Sequence, residues 1–454
     1  MASLVKIKFC GGTGSVTGAN FLLETRNKKI LVDCGLSQGI KIADDINWDP
    51  FPYDPKEIDM LFITHAHVDH LGRIPKLIHD GFRGKIFSTP PTKALVTPML
   101  EDTMGILVRS REYDLDTVYT EGNIKLALSL WQGYDFHQPI KIAEAFEASF
   151  LNAGHILGSA MVQFNLAGKK ILFTGDLGNT PSMLLPDTEI VKDIDYLITE
   201  SVYGDRNHES GEDRKKSLEK AIKDNYQRKG TLIIPTFSLE RSQELLFELN
   251  DLVENKKIPV MPIFLDSPLA IRLTEIFKRF KNYFNQNTQR AMAHDKHIFD
   301  FPGLRETLKS EESKMILAVP NPKVIIAGSG MSSGGRIVHH EKNYLPDPNN
   351  TLVLIGYQSV GSPGRLIQEG VKTVRISGED IAVRARIVTI FGYSGHRDSD
   401  GLVDFVGRMT EHLKKVFIVM GEPKSSMFLA QRLKDNFGLK TCLPERGESF
   451  LFLC

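Results

Sequence analysis

Four side chains that can bind a metal ion lie within six residues of one another, at His65, His67, Asp69 and His70. They directly follow an apolar run at 60–63 that reads as a strand. Imidazole nitrogens and carboxylate oxygens suit zinc, and a site without cysteine is more typical of catalysis than of structure. A loop here can turn His65 and His67 toward one ion and Asp69 with His70 toward a second. A lone histidine is more often a core or surface residue, but this spacing favours a metal site.

Three further residues at predicted strand ends are candidates for the same site. His155 follows a glycine-bearing turn, and Asp176 follows the apolar run at 170–173. A carboxylate such as Asp176 could bridge two ions, and ions about 3.5–4 Å apart can activate a water and hold both oxygens of a phosphoryl displacement. Asp33 is interpreted as an outer group that fixes a ligand histidine. Each of the three carries weight only through its place in the pattern.

The elements that must position these residues are short strands. Apolar, β-branched runs recur through about the first 200 residues, and several end in a polar or ionisable residue, as at Asp33, His65, Asp176 and Glu200. Functional groups at the carboxyl ends of strands are typical of α/β layouts.

From about residue 207 the pattern changes to strands that alternate with helices. Helical stretches are predicted near 211–228, 239–254, 267–281 and 335–344, with apolar strands between them. This alternation indicates a separate parallel α/β domain. After Gly378 the strand-rich pattern returns, with a helix predicted near 399–414. The second domain is therefore predicted to be inserted into the first.

Composition sets the class of protein. The chain has 454 residues, 41% apolar and 25% charged, which predicts a soluble protein of two or three domains. It has no apolar run of the roughly 18 residues that cross a membrane. The start at Met1-Ala2-Ser3 shows no signal peptide, so the cytoplasm is the expected location.

Cysteine usage and charge narrow the chemistry. The four cysteines, Cys10, Cys34, Cys442 and Cys454, form no close pair, which argues against a disulfide framework and against a cysteine zinc site. Lys plus Arg equals Asp plus Glu, at 56 each, so any phosphate binding must be local.

The sequence resembles metallo-β-lactamase-fold nucleases in His65-Ala66-His67-Val68-Asp69-His70, followed in the expected order by His155 and Asp176. Over essentially the whole chain it resembles the β-CASP branch. Thr199-Glu200-Ser201-Val202-Tyr203-Gly204 resembles that branch's acidic motif A, and Tyr393-Ser394-Gly395-His396-Arg397-Asp398 resembles its histidine motif B. Between them, Gly356-Tyr357-Gln358-Ser359 and a glycine-rich run at 328–336 also fit the branch.

The resemblance implies the architecture. It implies an α/β fold, a metallo-β-lactamase αββα sandwich with an inserted parallel α/β (β-CASP) domain. The sandwich is expected at 1–206 and 378–454, and the inserted domain at 207–377.

The resemblance also implies roles at the site. His65, His67 and His155 would bind one zinc, Asp69 and His70 the other, and Asp176 would bridge. His396, oriented by Glu200, could donate a proton to the leaving ribose 3′ oxygen as general acid, and Asp69 could orient the attacking hydroxide. Without the family pattern, Glu200 and His396 would equally fit an ordinary structural pair.

Two glycine-rich runs have different predictions. The run at 328–335 can expose backbone N–H groups to phosphate, with contacts expected at Gly330, Ser332 and Ser333 and with charge from Arg336. A plain tight turn is the alternative. The run at 11–18 departs from the dinucleotide fingerprint because Thr17 stands at the third glycine position. It is interpreted as a turn that lines the metal cleft.

One residue departs from the family. Where the family has a histidine ligand at a strand end, this chain has Met420. A thioether is a poor zinc ligand among oxygens and imidazoles. The second ion is therefore expected to rest on Asp69, His70, Asp176 and water, and to bind weakly.

The leading hypothesis is a zinc-dependent ribonuclease that uses two ions on single-stranded RNA. The alternatives are a catalytically impaired RNA-binding scaffold of the same fold, which Met420 favours, and a small-molecule metallo-hydrolase. The sequence does not decide between an endonuclease and a 5′ exonuclease, or between RNA and DNA, and it leaves a homodimer open. No membrane partner is expected.

Overall fold

In a computed structural model, the described residues are 4–38, 46–110, 117–208, 211–295, 297–356, 358–359 and 361–453. The predictions for Met1-Ala2-Ser3, Tyr357 and Cys454 lie outside these ranges. The chain divides into two compact units. Unit 1 is Met1–Asn207 with His396–Cys454, and unit 2 is His208–Gly395.

Unit 1 begins with a strand in which half-buried Lys6 and Lys8 alternate with buried Val5, Ile7 and Phe9. The elements of this first part are β1 (Leu4–Gly11), β2 (Asn20–Glu24), β3 (Lys29–Val32), β4 (Met60–Phe62), α1 (Val68–Leu71), α2 (Ile74–His79), β5 (Lys85–Ser88), α3 (Pro90–Ser110), α4 (Glu121–Ser129), β6 (Trp131–Gly133), β7 (Ile140–Ala143), β8 (Phe146–Asn152), β9 (Ala160–Leu166), β10 (Lys169–Phe173) and β11 (Tyr196–Thr199).

Unit 2 alternates strands and helices. Its elements are α5 (Gly211–Gln227), β12 (Thr231–Pro235), α6 (Arg241–Glu254), β13 (Ile263–Asp266), α7 (Pro268–Arg279), α8 (Gln286–His294), β14 (Leu304–Glu306), α9 (Ser310–Met315), β15 (Lys323–Ala327), α10 (Ile337–Tyr344), β16 (Thr351–Ile355), α11 (Pro363–Gln368), β17 (Thr373–Ile376), β18 (Glu379–Ala382) and β19 (Arg386–Ile390). Six of its strands form a parallel sheet in the order β14-β13-β15-β12-β16-β19, and β17 and β18 form an antiparallel pair. The central strands are buried along their whole length, which is why they are mostly apolar.

The chain then returns to unit 1 through α12 (Ser399–Gly407), β20 (Lys415–Ile418), α13 (Pro423–Phe437), β21 (Thr441–Cys442) and β22 (Ser449–Leu453). Strand β22 pairs with β1, and β20 pairs with β11, so this segment completes two seven-stranded sheets. Their orders are β22-β1-β2-β3-β4-β5-β6 and β21-β20-β11-β10-β9-β8-β7.

The cores of unit 1 show the predicted layers. One apolar cluster joins side chains of the two sheets, including Phe9, Phe62, Phe164 and Phe417. A second cluster joins the other face of the second sheet to α12 and α13. The predicted αββα sandwich with an inserted parallel α/β domain is confirmed.

The boundary on the C-terminal side differs from the expected one. The sandwich was expected to resume at 378, but unit 1 resumes at His396. The reason is that β19 pairs in parallel with β16 and so extends the sheet of unit 2. The helix expected near 399–414 ends at Gly407. None of the helices in the described ranges combines the length and apolar character that a membrane crossing requires.

Candidate metal centre

The candidate ligands of unit 1 lie on short segments that directly follow or lie near strand ends. His65 follows β4, and His67 is the N-cap of the short helix α1, which carries Asp69 and His70. His155 lies in the loop after β8, and Asp176 in the loop after β10. The strand ends therefore bring together residues that are up to 111 positions apart, from His65 to Asp176.

Four of these residues form one donor group. His65 Nε2 lies 3.1 Å from His67 Nδ1, and His155 Nε2 lies 3.2 Å from the same atom. Asp176 Oδ2 is 3.4 Å from His65 Nε2 and 3.6 Å from His155 Nε2. An ion about 2.0–2.1 Å from each of four tetrahedral donors keeps those donors about 3.3–3.4 Å apart. The spacing therefore fits a single tetrahedral ion.

A second donor group consists of Asp69, His70 and Asp176. His70 Nε2 is 3.3 Å from Asp176 Oδ1 and 3.8 Å from Asp69 Oδ2. Both His70 Nε2 and Asp176 Oδ1 are buried, and neither has a hydrogen-bond partner among the described residues. A buried polar atom without a partner costs about 1–3 kcal/mol, so a bound ion would remove a real penalty. These residues can hold a second ion.

Asp33 lies behind the second donor group. Its Oδ2 is 2.8 Å from His70 Nδ1 and accepts a hydrogen bond from the Thr64 hydroxyl at 2.9 Å. Its Oδ1 accepts a hydrogen bond from the Thr64 backbone N–H at 2.8 Å. A carboxylate against one ring nitrogen leaves the other ring nitrogen free to bind an ion. Thr64 was not among the residues predicted from the sequence. Its hydroxyl also lies 3.0 Å from His65 Nδ1.

Glu200 and His396 lie beside these donors. Glu200 is fully buried, and its two carboxylate oxygens accept the backbone N–H groups of Leu177 at 2.6 Å and Val202 at 3.3 Å. His396 Nδ1 is 3.4 Å from Glu200 Oε1 and 4.0 Å from Asp176 Oδ2. About a quarter of the His396 side chain remains exposed.

The charge state of His396 follows from these neighbours. Burial lowers the pKa of His396, but the carboxylates of Glu200, Asp176 and Asp69 outweigh burial and raise this pKa to about 9. The imidazole is therefore protonated near pH 7, with two N–H donors. The arrangement can deliver a proton from the side that is open to solvent.

Met420 lies just after the end of β20, and its thioether is neither a histidine nor a carboxylate donor of the kind that forms the two groups. The residue is 2% exposed and belongs to the apolar core of unit 1. Its sulfur packs against Gly12, where an added Cβ would come within 2.5 Å of it, and its backbone N–H donates to the Gly12 carbonyl at 2.7 Å. The glycine-rich run at 11–18 thus supports the strand end that carries Met420. The second donor group keeps three residues.

Two residues of the glycine-rich run of unit 2 have protein partners. The guanidinium of Arg336 donates to Asp266 Oδ1 at 2.6 Å and to the carbonyls of Thr307 and Leu308 at 2.8 Å. Ser332 is buried and donates its hydroxyl to Glu341. The Ser332 hydroxyl and three N–H donors of Arg336 therefore contact protein groups, and a phosphate contact of either residue stays a prediction.

The other two residues of that prediction have different surroundings. Ser333 is exposed, and its hydroxyl lies 3.2 Å from that of Ser329. Gly330 is buried beneath the ring of Phe237.

Three family models match this chain. The Beta-Casp domain matches residues 242–367, and the Zn-dependent metallo-hydrolase RNA specificity domain matches 380–444. The model of the Anti-Pycsar protein Apyc1 matches 8–204.

Relatives match over nearly the whole chain. Ribonuclease TTHA0252 of Thermus thermophilus is 35% identical over 93% of this chain and 94% of its own length. An RNase J-like protein of Methanocaldococcus jannaschii is 31% identical over 98% of this chain and 99% of its own. The transcription termination factor FttA of Methanosarcina mazei is 31% identical over 96% of this chain and 70% of its own. The chain therefore belongs to the β-CASP branch of the metallo-β-lactamase-fold RNA nucleases.

Proposed function

We propose that this chain is a zinc-dependent ribonuclease that hydrolyses phosphodiester bonds of single-stranded RNA with two metal ions. One observation carries the proposal: His70 Nε2 and Asp176 Oδ1 are buried without a hydrogen-bond partner in the part of the chain that the structure describes, at the edge of a four-donor group with tetrahedral spacing. Membership of the nuclease family and the names of the relatives support a nucleic-acid phosphodiester hydrolase.

The two ions would have unequal sites. His65, His67, His155 and Asp176 would hold the first, and Asp69, His70 and Asp176 the second. Histidine and carboxylate donors without cysteine suit zinc in a catalytic site. Zinc bound there supplies an activated water and stabilises negative charge on the phosphate. The second site would be weaker, because Met420 offers no donor to it.

Proton transfer would belong to His396. Its Nδ1–H faces Glu200, which fixes the ring, and the opposite Nε2–H would donate to the leaving 3′ oxygen of ribose. A pKa raised to about 9 supports this role, because a general acid must hold its proton at the working pH. Asp33 and Thr64 would hold the ligand histidines in orientation.

The two units would correspond to the two expected domains. We assign unit 1 as the metallo-β-lactamase domain and unit 2 as the inserted β-CASP domain, and the match of the Beta-Casp model within unit 2 supports this. The cytoplasmic location and a homodimer stay predictions.

A second candidate function is an RNA-binding scaffold without cleavage. Met420 favours it, because among the described residues the second donor group consists of only three histidine or carboxylate side chains. The proton-donating pair Glu200 and His396 favours the enzyme, since a scaffold needs no general acid.

The test is cleavage of a 5′-labelled single-stranded RNA with and without added zinc, together with a count of bound metal. We expect zinc-dependent cleavage that falls about 10²- to 10⁴-fold in His396→Ala while the metal content stays the same. His412→Ala is the matched control, because His412 is an exposed histidine of unit 1 that pairs with Asp193. Absence of cleavage at every zinc concentration, with RNA still bound, would support the scaffold. The fragment lengths would separate endonuclease from 5′ exonuclease.

A further inference from the structure

Phe237 is an exposed aromatic residue at the carboxyl edge of the parallel sheet in unit 2. It lies two residues after β12, and 41% of it is exposed although β12 itself is buried. Its backbone carbonyl accepts hydrogen bonds from the N–H of Ser242 at 3.2 Å and from the Ser242 hydroxyl at 2.8 Å. The start of α6 therefore holds the backbone from which the ring projects.

One side of the ring rests on the glycine-rich run. A Cβ added at Gly330 would lie 2.8 Å from Cδ2 and 2.9 Å from Cε2 of Phe237, which is closer than a real contact allows. Gly330 has no positive φ, so glycine is required here for close approach and not for backbone conformation. The Cδ2–Cε2 edge of the ring thus lies against Gly330, while 41% of the residue is exposed.

Two serine hydroxyls lie near Phe237. The hydroxyls of Ser238 and Ser267 lie 3.1 Å apart, and Ser267 caps α7. Arg336, at the end of the glycine-rich run, directs its charge to Asp266. The carboxyl ends of parallel strands are the usual ligand-binding edge of such sheets. An open aromatic ring with nearby hydroxyls fits a nucleobase better than a phosphate.

We propose that Phe237 is a stacking platform for a base of single-stranded RNA, and this inference rests on the proposed function and extends it. Aromatic side chains bind single strands by stacking, and every base offers a face to stack on. An isolated exposed apolar residue is common on protein surfaces. What separates Phe237 from that class is its fixed backbone and its close packing on Gly330.

The experiment measures RNA binding in the presence of a metal chelator, so that no cleavage occurs. The probe is a single-stranded RNA that contains 2-aminopurine, whose fluorescence is quenched when it stacks. We expect Phe237→Ala to weaken binding about 5- to 150-fold and to reduce the quenching. Phe237→Tyr should retain both, whereas Phe237→Leu, which is apolar but cannot stack, should behave like Ala. An abasic RNA of the same length should bind the wild type and Phe237→Ala equally.

Tyr226→Ala is the matched control. Tyr226 is an aromatic residue of unit 2 with 40% exposure, and it lies near the end of α5, before β12 begins. It therefore belongs to the amino edge of the sheet, and its loss should leave binding unchanged. Thermal unfolding of each variant checks that the fold is intact.

The outcomes separate this inference from the proposed function. The stacking platform is wrong, and the ribonuclease stands, if the wild type cleaves RNA and Phe237→Ala binds RNA as tightly as the wild type does. The same conclusion holds if Phe237→Ala weakens the binding of abasic RNA as much as the binding of intact RNA. If base-dependent binding through Phe237 is found, and the wild type does not cleave RNA at any zinc concentration, the ribonuclease is wrong and the platform stands. A wild type that neither binds nor cleaves RNA overturns both. With both correct, Phe237→Ala raises KM for cleavage and leaves kcat unchanged.

Discussion

Asp176 and Asp266 are both buried aspartates at the carboxyl end of a strand, one in each unit, but their neighbours differ. Both oxygens of Asp266 accept hydrogen bonds at 2.6 Å, from the side chains of Thr307, Ser313, Arg336 and His340. Among the described residues, Asp176 Oδ1 has no hydrogen-bond partner, and ring nitrogens of His65, His70 and His155 lie 3.3–3.6 Å from the two carboxylate oxygens.

The difference distinguishes a structural cluster around Asp266 from a candidate metal site around Asp176. Burial alone would raise the pKa of Asp266, but hydrogen bonds from His340, Ser313, Thr307 and Arg336 outweigh it and hold this pKa well below its usual value. That carboxylate is fully compensated within unit 2. The carboxylate of Asp176 lies instead beside ring nitrogens of three histidines, and such a group can be completed by a cation.

The largest expected effect comes from Asp176→Asn. The amide cannot replace a bridging carboxylate, so we expect both ions to be lost or loosened. Cleavage of RNA should fall on the order of 1000-fold or more. Metal content by mass spectrometry and the cleavage rate measure this. Unchanged metal content in the variant would show that the open cluster is not an ion site.

Asp266→Asn should have the opposite effect, with a loss of stability and no loss of metal. It removes the charge that compensates Arg336 and leaves donors of His340 and Ser313 poorly matched. Breaking a buried pair in this way typically costs about 3–5 kcal/mol of unfolding free energy. Denaturant unfolding measures the loss, and metal content should stay at the wild-type level. If Asp266→Asn lost metal but not stability, Asp266 and not Asp176 would belong to a metal site.

Glu341 is a third buried carboxylate for comparison, and it accepts a hydrogen bond from one side chain. Ser332 donates to Oε1, and Oε2 has no partner among the described residues. Burial raises the pKa of Glu341 to about 7, against the weaker opposite effect of Ser332. Because the folded state holds this proton more tightly than the unfolded chain, the stabilisation is complete below about pH 4.3 and is lost as pH rises through 7.

Glu341→Gln should remove that pH dependence. Between pH 5 and pH 8, we expect its unfolding free energy to improve relative to wild type by about 2–3 kcal/mol. Denaturant unfolding of both proteins at the two pH values measures this. Parallel pH profiles would mean that Glu341 ionises without cost.

The smallest effect is expected from Met420→His. This variant tests whether the second metal site of unit 1 is weaker than the first because Met420 contributes no ligand. Met420 and His70 line the same small internal void, so an imidazole at 420 would lie near the second donor group. We expect the affinity for the second ion to rise about 10- to 100-fold, the range that supporting ligand interactions are worth. Metal titration by calorimetry measures it, and Met420→Leu, which adds no donor, should leave the second ion unchanged.

Much of the fold could be predicted from local pattern. The alternation at Val5, Ile7 and Phe9 and the cap at Ser267 are short-range signals, and the corresponding strand and helix are present. The boundary expected at 378 and the start of the second part of unit 1 at His396 differ, because the run at 387–390 reads as a strand in either domain. Only its pairing with β16 assigns it to unit 2.

The sequence by itself determined the composition of the candidate metal centre. Its spacing of His65, His67, Asp69 and His70 is so dense that the residues are close in any fold, and the order of the later residues matched a known family. Whether a side chain is free to bind a ligand was decided only in the tertiary structure. Arg336 is bound by Asp266, 70 positions earlier, and Phe237 is packed on Gly330, 93 positions later. Local pattern cannot show such partners, because long-range contacts depend on which strands become neighbours.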